Sequence, residues 1–343
     1  VLRWLTNFAW PAQRSLPYRV IWWATWAYLL LAVVSAVCLW GLGDRWWLAT
    51  VLLFGPRWVL LLPVALLIPA LLLFDRHLLP LSLIAGLVVL FPVMGFQLGL
   101  GAPTPEDPAL DIRVLTFNVG GGERLATNPV NLLREWNADV VALQECGRAL
   151  SRALRNVPGW NVDTSNNLCL ATRFEIEEVL EMDREALEFA GGSGLVVTYL
   201  LDPGNGPFFL TSLYLDSPRE GLGLIAVGRL WEGIPKIREK SLLRSIELGR
   251  ARRWVDQFQG PHVVVGDFNT PPESRSYREF WSGWQNAFSE AGRGLGGTRL
   301  VGWIRPRIDH VVADQNWMIV DAWVEPDAGS DHLPSAAILR LRK

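Results

Sequence analysis

Three apolar stretches follow one another through the first hundred residues, and they limit the chain more than any other feature. "RVIWWATWAYLLLAVVSAVCLWGLG" runs about twenty-three residues from Val20 without a charge, and "LPLSLIAGLVVLFPVMGFQLGLG" repeats the pattern from Leu79. About twenty apolar residues wound as a helix suffice to cross a bilayer. Between them, residues 46–74 are apolar but interrupted by Gly55, Pro56 and Arg57. Residues 57–74 read as one crossing, and 46–54, too short to span, as an interfacial or re-entrant lead-in. We therefore expect a membrane region over 1–100 with about three transmembrane helices, near 20–42, 57–74 and 79–100. A cleaved leader followed by core helices does not explain three such runs in succession. Trp22, Trp23, Trp26, Trp40, Trp46, Trp47 and Trp58 gather near the ends of these runs, where amphipathic rings settle at a membrane surface.

Charge divides the chain at the same place. Residues 1–102 hold six basic and two acidic side chains, which leaves 26 basic and 32 acidic in 103–343. Such an acidic remainder argues against a protein that grips long nucleic acid by its phosphates. Arg3, Arg14, Arg19 and Arg76 fall on one side of the expected spans, and Arg45 and Arg57 on the other. That bias puts the N-terminus inside, so three crossings leave the larger region outside the cytoplasm of a bacterial cell. Residues 101–111, "GAPTPEDPALD", read as a polar, Pro-rich linker. Three cysteines match no zinc-site spacing. Cys146 and Cys169 could pair in an oxidising compartment, but we expect buried free thiols.

From residue 112 the texture changes to short apolar strands alternating with helical stretches and glycine-rich turns. "IRVLTFNVGG", "ADVVALQEC", "FFLTSLYL", "HVVVGDFN", "RIDHVVAD" and "SAAILRLR" are strand candidates, and a long amphipathic helix is expected from about Lys236 to Phe258. Strands outnumber helices, which points to two packed sheets flanked by helices rather than a doubly wound parallel sheet. Asn118, Glu145, Asp267, Asn269, Asp309, Asp331 and His332 all fall at strand ends, where a sheet scaffold gathers distant residues into one site. Each alone has a bland explanation as a solvated edge or an Asx turn.

"TFNV", "ALQE", "GDFN", "RIDH" and "SDH", in that order, resemble the endonuclease/exonuclease/phosphatase superfamily over essentially all of 111–343, and membrane-tethered bacterial members in particular. The resemblance implies a four-layered α/β sandwich with two mixed sheets, and Mg²⁺-dependent cleavage of phosphate esters, with Mn²⁺ as an alternative ion. Glu145 is the best candidate ligand, because Mg²⁺ takes one or two carboxylates beside water and phosphate oxygens. Asn118 is expected to support that ligand or contact phosphate, and Asp331 to lie at or near the metal. Asp267 would orient or deprotonate the attacking water, and Asn269 would donate to a phosphate oxygen. Asp309 would hold the tautomer of His332, whose imidazole contacts the phosphate or acts as base. The sequence leaves Asp267 and His332 as alternative proton acceptors. Many family members carry His in the strand that here reads "YLDSP"; Tyr214 can donate a hydrogen bond but is no cation at neutral pH.

Residues 217–240 are unusually apolar for a loop and lead into a helix rich in Lys and Arg. They read either as a lid touching bilayer or lipid tail or, as we expect, as a helical insertion packed on its own domain. Three functions fit: a membrane-anchored phosphodiesterase or phosphatase acting on a lipid or small phosphoester, a nuclease using the same site on DNA or RNA, and a catalytically idle interaction domain. The last would have lost one of Glu145, Asp267, Asn269, Asp309 and His332, and all are present.

Overall fold

The structure is a computed structural model that describes residues 15–100, 110–123, 125, 129–204 and 206–342. The linker expected over 101–111 lies outside the described residues up to position 109. The chain divides into two compact units, Val1–Gly41 with Arg57–Gly95, and Leu42–Pro56 with Phe96–Lys343.

The first unit is helical. Helix α1 (Leu16–Val37) starts with Pro17 in its first turn, where a missing N–H costs nothing, and continues through a π-turn to Leu42. Tyr28, Ala32, Leu67, Leu71, Ala85 and Val89 form the small seam between the helices of this unit. Its outer faces carry Leu66 and Leu73, 75% and 82% exposed. Among the described residues three helical runs, Leu16–Arg45, Arg57–Phe74 and Arg76–Val93, are long and apolar enough to cross a membrane. The last closes at Val93, short of residue 100: Pro92 breaks the ladder, Gly95 adopts φ 74°, and Gln97–Leu98 pair with Arg293–Gly294 as a short antiparallel ladder.

The second unit takes in the segment Leu42–Pro56, which hydropathy alone groups with the membrane region. Here α2 (Trp47–Phe54) packs on protein, because its lead-in carries a buried carboxylate. Asp44 Oδ1 accepts from the Ser276 N–H at 3.1 Å, and its other oxygen lies 3.7 Å from the Arg244 guanidinium. Gly43 makes this approach possible: a Cβ there would meet Arg275 at 2.6 Å, and φ is +53°. Apolarity reports removal from water and cannot say whether lipid or protein does the covering.

Two six-stranded sheets build the rest. The first orders β1 (Leu110–Asn118), β2 (Val140–Gln144), β3 (Asn161–Ser165) and β4 (Leu168–Thr172), together with β11 and β12 below, as β11-β12-β1-β2-β4-β3. The second comprises β5 (Glu175–Glu181), β6 (Leu195–Asp202), β7 (Phe208–Tyr214), β8 (His262–Asp267), β9 (Gln285–Asn286) and β10 (Asp309–Ala313), in the order β9-β10-β8-β7-β6-β5. Strands β11 (Trp317–Val324) and β12 (Ser335–Leu341) complete the first sheet. Strand alternation sorts the core into layers. Val114, Ala142, Val263 and Val265 meet between the sheets. Leu115 and Phe117 turn outward onto Leu132 and Leu150, and Val264 onto Leu248, Ala251 and Trp281. Helices thus cover both outer faces, giving the four-layered mixed α/β sandwich expected.

Cysteine departs from expectation. Cys146 and Cys169 form a disulfide with Cα atoms 5.9 Å apart, and Cys38 is free. The pairing follows from register: Leu143 lies opposite Cys169, and Cys146 N–H donates to Asn167 O just past the strand ends. Closing a loop of sequence separation 23 stabilises by about 3 kcal/mol. Thiol titration of the denatured chain is expected to find one reactive thiol before reduction and three after. Reduction should lower unfolding stability by about 2–4 kcal/mol.

Candidate active site

Among the described residues two strand pairs are parallel, β1 with β2 and β7 with β8, one at the centre of each sheet. Parallel pairs end at the same edge, and their antiparallel neighbours begin there. Asn118 ends β1 beside Gln144, with Glu145 next; Tyr214 and Asp267 end β7 and β8 in direct register; Asp309 opens β10 opposite Asp267. His332 and Asp331 precede β12, whose first residue Ser335 pairs with Thr116. Six distant segments thereby meet at one edge of the sandwich.

Hydrogen bonds knit the two sheets together there. Asn118 Nδ2 donates to Glu145 Oε1 at 2.9 Å and to Asp267 Oδ2 at 3.1 Å, so one amide joins carboxylates from opposite sheets. Its Oδ1 accepts from Gly120 N–H, and its backbone oxygen accepts from Ser330 Oγ. Asn269 donates its backbone N–H to Asp267 Oδ1 at 2.8 Å, and its amide donates to Leu215 O at 2.8 Å and Asp267 Oδ2 at 3.2 Å. Glu145 and Asn269 both adopt left-handed backbone, φ 52° and 47°. Such conformations cost of order 1–3 kcal/mol and persist where the surroundings enforce them, as at ligand-handling positions. Gly266, before Asp267, has φ +142°, and a Cβ there would sit 2.0 Å from Leu213 O, so the tight approach of β7 and β8 requires glycine.

His332 is fully buried between two carboxylates. Nδ1 lies 2.9 Å from Asp309 Oδ2, and Nε2 3.7 Å from Asp267 Oδ2. Burial alone would lower its pKa, but the charges of Asp309 and Asp267 outweigh burial and raise it. Burial raises the Asp267 pKa, and the Asp309 charge adds to that, while His332 and Asn118 oppose it. Tyr214 is half-buried; desolvation and the charges of Glu145 and Asp267 push its phenol far up, so it stays a neutral donor. Arg299 contacts His332 Nε2 and pairs with Asp331 at 2.5 Å, and Arg219 reaches Asp331 at 4.0 Å. Thr298 Oγ1 accepts from both Ile308 and Asp309 N–H groups, fixing the start of β10.

The donor set suits a hard divalent ion: carboxylate and amide oxygens are present, and the nearest sulfur, Cys146, is held in its disulfide. Two groupings are available. Asp267, Asp309 and His332 bring ligand atoms within 4.8 Å of one another, but here the imidazole already fills the space between the acids. Half-buried Glu145, steered by Asn118 and close to Asp267, offers the open position. Arg299 and Thr298 carried no motif in the sequence; only their nearness to "RIDH" hints at them. His262 and His310 stay structural: His262 Nε2 pairs with Thr211 Oγ1 at 2.8 Å and burial lowers its pKa to about 3, while His310 Nε2 pairs with Thr270 O at 2.9 Å, its pKa lowered to about 4.

A second buried ionic group lies under the helix Leu230–Val255. Glu247 Oε2 accepts from Asp216 N–H at 2.6 Å, and desolvation raises its pKa to about 7. A carboxyl whose folded pKa exceeds its unfolded value holds its proton more tightly when folded. Its stabilisation is complete below the unfolded pKa near 4.5 and is lost as pH rises through about 7. Between pH 5.5 and 8.5 the natural chain should therefore lose about 2 kcal/mol more stability than Glu247→Gln in matched urea unfolding. Equal losses would show that Glu247 does not titrate in this range.

Against known proteins, the model of the endonuclease/exonuclease/phosphatase family matches residues 115–332, from within β1 to His332. The structure of truncated Caenorhabditis elegans TDP2 aligns with TM-score 0.53 at 16% identity, covering 68% of this chain and 99% of that one. D. rerio TDP2 complexed with single strand DNA product aligns with TM-score 0.52 at 14% identity, covering 67% and 98%. At such identities the likeness speaks to fold alone. No curated protein sequence is similar enough to match. Matched over more than half its length, and carrying the two-sheet sandwich, this chain belongs to the endonuclease/exonuclease/phosphatase family, whose members are typically hydrolases acting on phosphoesters.

Proposed function

We propose that the chain is a membrane-anchored hydrolase that cleaves phosphate mono- or diesters with Mg²⁺ or Mn²⁺ outside the cytoplasm. The observation that carries this reading is the single amide nitrogen of Asn118 joining Glu145 and Asp267 from opposite sheets, with Asp309 and His332 beside them. Glu145 would hold the ion, with Asn118 steering its carboxylate and Asp331 near by. When bound, the ion would neutralise phosphate charge and that developing on the leaving oxygen. Asp267 orients the attacking water and takes one of its protons. The water oxygen bonds to phosphorus, the bond from phosphorus to the leaving oxygen breaks, the departing alkoxide takes up a proton from solvent, and Asp267 returns its proton to solvent. His332, held by Asp309, supplies a cationic contact to phosphate, and Tyr214 a neutral donor. Asn269 donates to the phosphate by releasing one of its two amide contacts, of which the 3.2 Å one to Asp267 is the longer.

Three apolar helices with bare apolar outer faces support anchoring in a membrane. The disulfide, stable in oxidising surroundings, supports an extracytoplasmic site. An acidic catalytic region makes a nuclease the second reading. The test is full-length protein in detergent, assayed on an activated diester, an activated monoester and plasmid DNA, with Mg²⁺ and with chelator. Turnover that chelation abolishes is expected on a small ester. Absence of turnover from folded protein on all three would sink the reading.

A further inference from the structure

Beside the catalytic edge lies a cavity of about 510 Å³ with predominantly apolar walls. Asn269, Arg299 and Asp331 form one polar part of its lining; Phe54 of α2, Leu222 and Ile225 of the helix Arg219–Ala226, and Val301 and Ile304 of a short hairpin form apolar wall. Its volume falls in the range of roughly 300–1,000 Å³ that holds a whole small ligand. A site handling only a phosphate and a sugar has no use for aliphatic walls. A single-strand binder would want stacked aromatics along a basic groove, whereas the one ring in this lining is Phe54.

Two further observations bear on what enters. Just past the lining residues, the large apolar side chains stay in the open: Trp231 is 92% exposed, Val227 72%, and Trp303, at the hairpin tip, 83%. Tryptophan in such positions suits the membrane interface. The wall contributed by α2 also ends at Pro56, and Arg57 opens an apolar helix of membrane-spanning length. Connectivity therefore holds one wall of the cavity within a residue of a span.

We propose that the substrate is an amphiphilic phosphoester of the bilayer, a phospholipid-type mono- or diester. Its hydrocarbon part fills the cavity, and its phosphate lies at the Asn269–Arg299 end. This rests on the phosphoesterase reading above and adds the class of alcohol. The segment 217–240 packs on its own domain as expected, the helix Arg219–Ala226 lying against the helix Leu230–Val255, and on this proposal the first of these helices also forms part of the substrate wall.

The test uses the full chain in detergent with Mg²⁺ and a series of p-nitrophenyl alkyl phosphodiesters from methyl to dodecyl, plus a single-stranded oligonucleotide. Burial of each methylene is expected to raise kcat/KM about twofold or more until the cavity is full, so the octyl ester should exceed the methyl ester about a hundredfold. Gly223 lines the cavity and has open space where a Cβ would stand. Gly223→Phe, which blocks that space, should cut the octyl-to-methyl ratio at least tenfold. Val301→Asp, on the exposed hairpin, is the second variant should the first fail to fold. An equal ratio in variant and parent would mean micelle partitioning and overturn the proposal. A flat series with metal-dependent methyl-ester cleavage would overturn it while leaving the phosphoesterase reading intact. Preference for the oligonucleotide would overturn it in favour of a nuclease. No cleavage of any ester would overturn both.

Discussion

Replacing Asp267 with Asn should lower metal-dependent phosphoester turnover about 10²–10⁴-fold, the range for loss of a general base, with little change in KM. The substitution keeps shape and removes charge. One oxygen can still accept from Asn269 N–H, but the new amide then turns a donor toward Asn118 Nδ2, where a carboxylate oxygen now accepts at 3.1 Å. Asn118 also steers Glu145, so the change should weaken metal affinity as well as proton transfer. A separate readout tests the local electrostatics. Asp267 is one of the two carboxylates that raise the His332 pKa against burial, so NMR titration in the variant should show that pKa lowered. Turnover within tenfold of the parent would remove Asp267 from the chemistry. An unmoved His332 titration would show that Asp309 alone sets its charge.

The edge at which these residues meet was legible because each chemical side chain follows or precedes an apolar run, and strand ends are visible in hydrophobic pattern. What the pattern does not carry is direction. That β1–β2 and β7–β8 are the parallel pairs, bringing Asn118, Asp267 and Asp309 to one edge, follows from the crossovers through helices and not from any one strand. Arg299 and Thr298 were invisible for a related reason: they sit in an irregular stretch, and an isolated bridge from Arg299 to His332 brings them to the site. The disulfide overturns the expectation of free thiols, because composition says only that Cys146 and Cys169 bury sulfur, which either state does, and register decides the pairing. The segment Leu42–Pro56 was the hardest. The seven apolar residues of α2 satisfy a membrane surface and a protein surface alike, and the discriminating residue is the buried acid before them, Asp44, since its neighbour Arg45 stays exposed.

Asp44 is therefore the place where truncation should destabilise most. Its side chain is almost wholly buried, accepts from Ser276 N–H at 3.1 Å and lies 3.7 Å from the equally buried Arg244 guanidinium. Desolvation lowers the Arg244 pKa, and Asp44 is the foremost of the charges that oppose it, ahead of Asp216 and Glu247. Asp44→Ala leaves a buried cation without its nearest counter-charge and a buried N–H without an acceptor. Breaking one side of a buried pair costs about 3–5 kcal/mol. The remaining acids near Arg244 argue for the lower end, about 3 kcal/mol, read as a shift in urea unfolding of the full chain in detergent. Removing both charges is a different case: Asp44→Ala with Arg244→Met replaces the cation by an apolar chain and should recover at least half of the loss. Because α2 forms one wall of the cavity, the single variant should also show a lower octyl-to-methyl ester ratio than the parent. A loss under 1 kcal/mol, or a double variant no more stable than the single, would mean that apolar packing of α2 rather than the buried charge holds this segment to the rest of its unit.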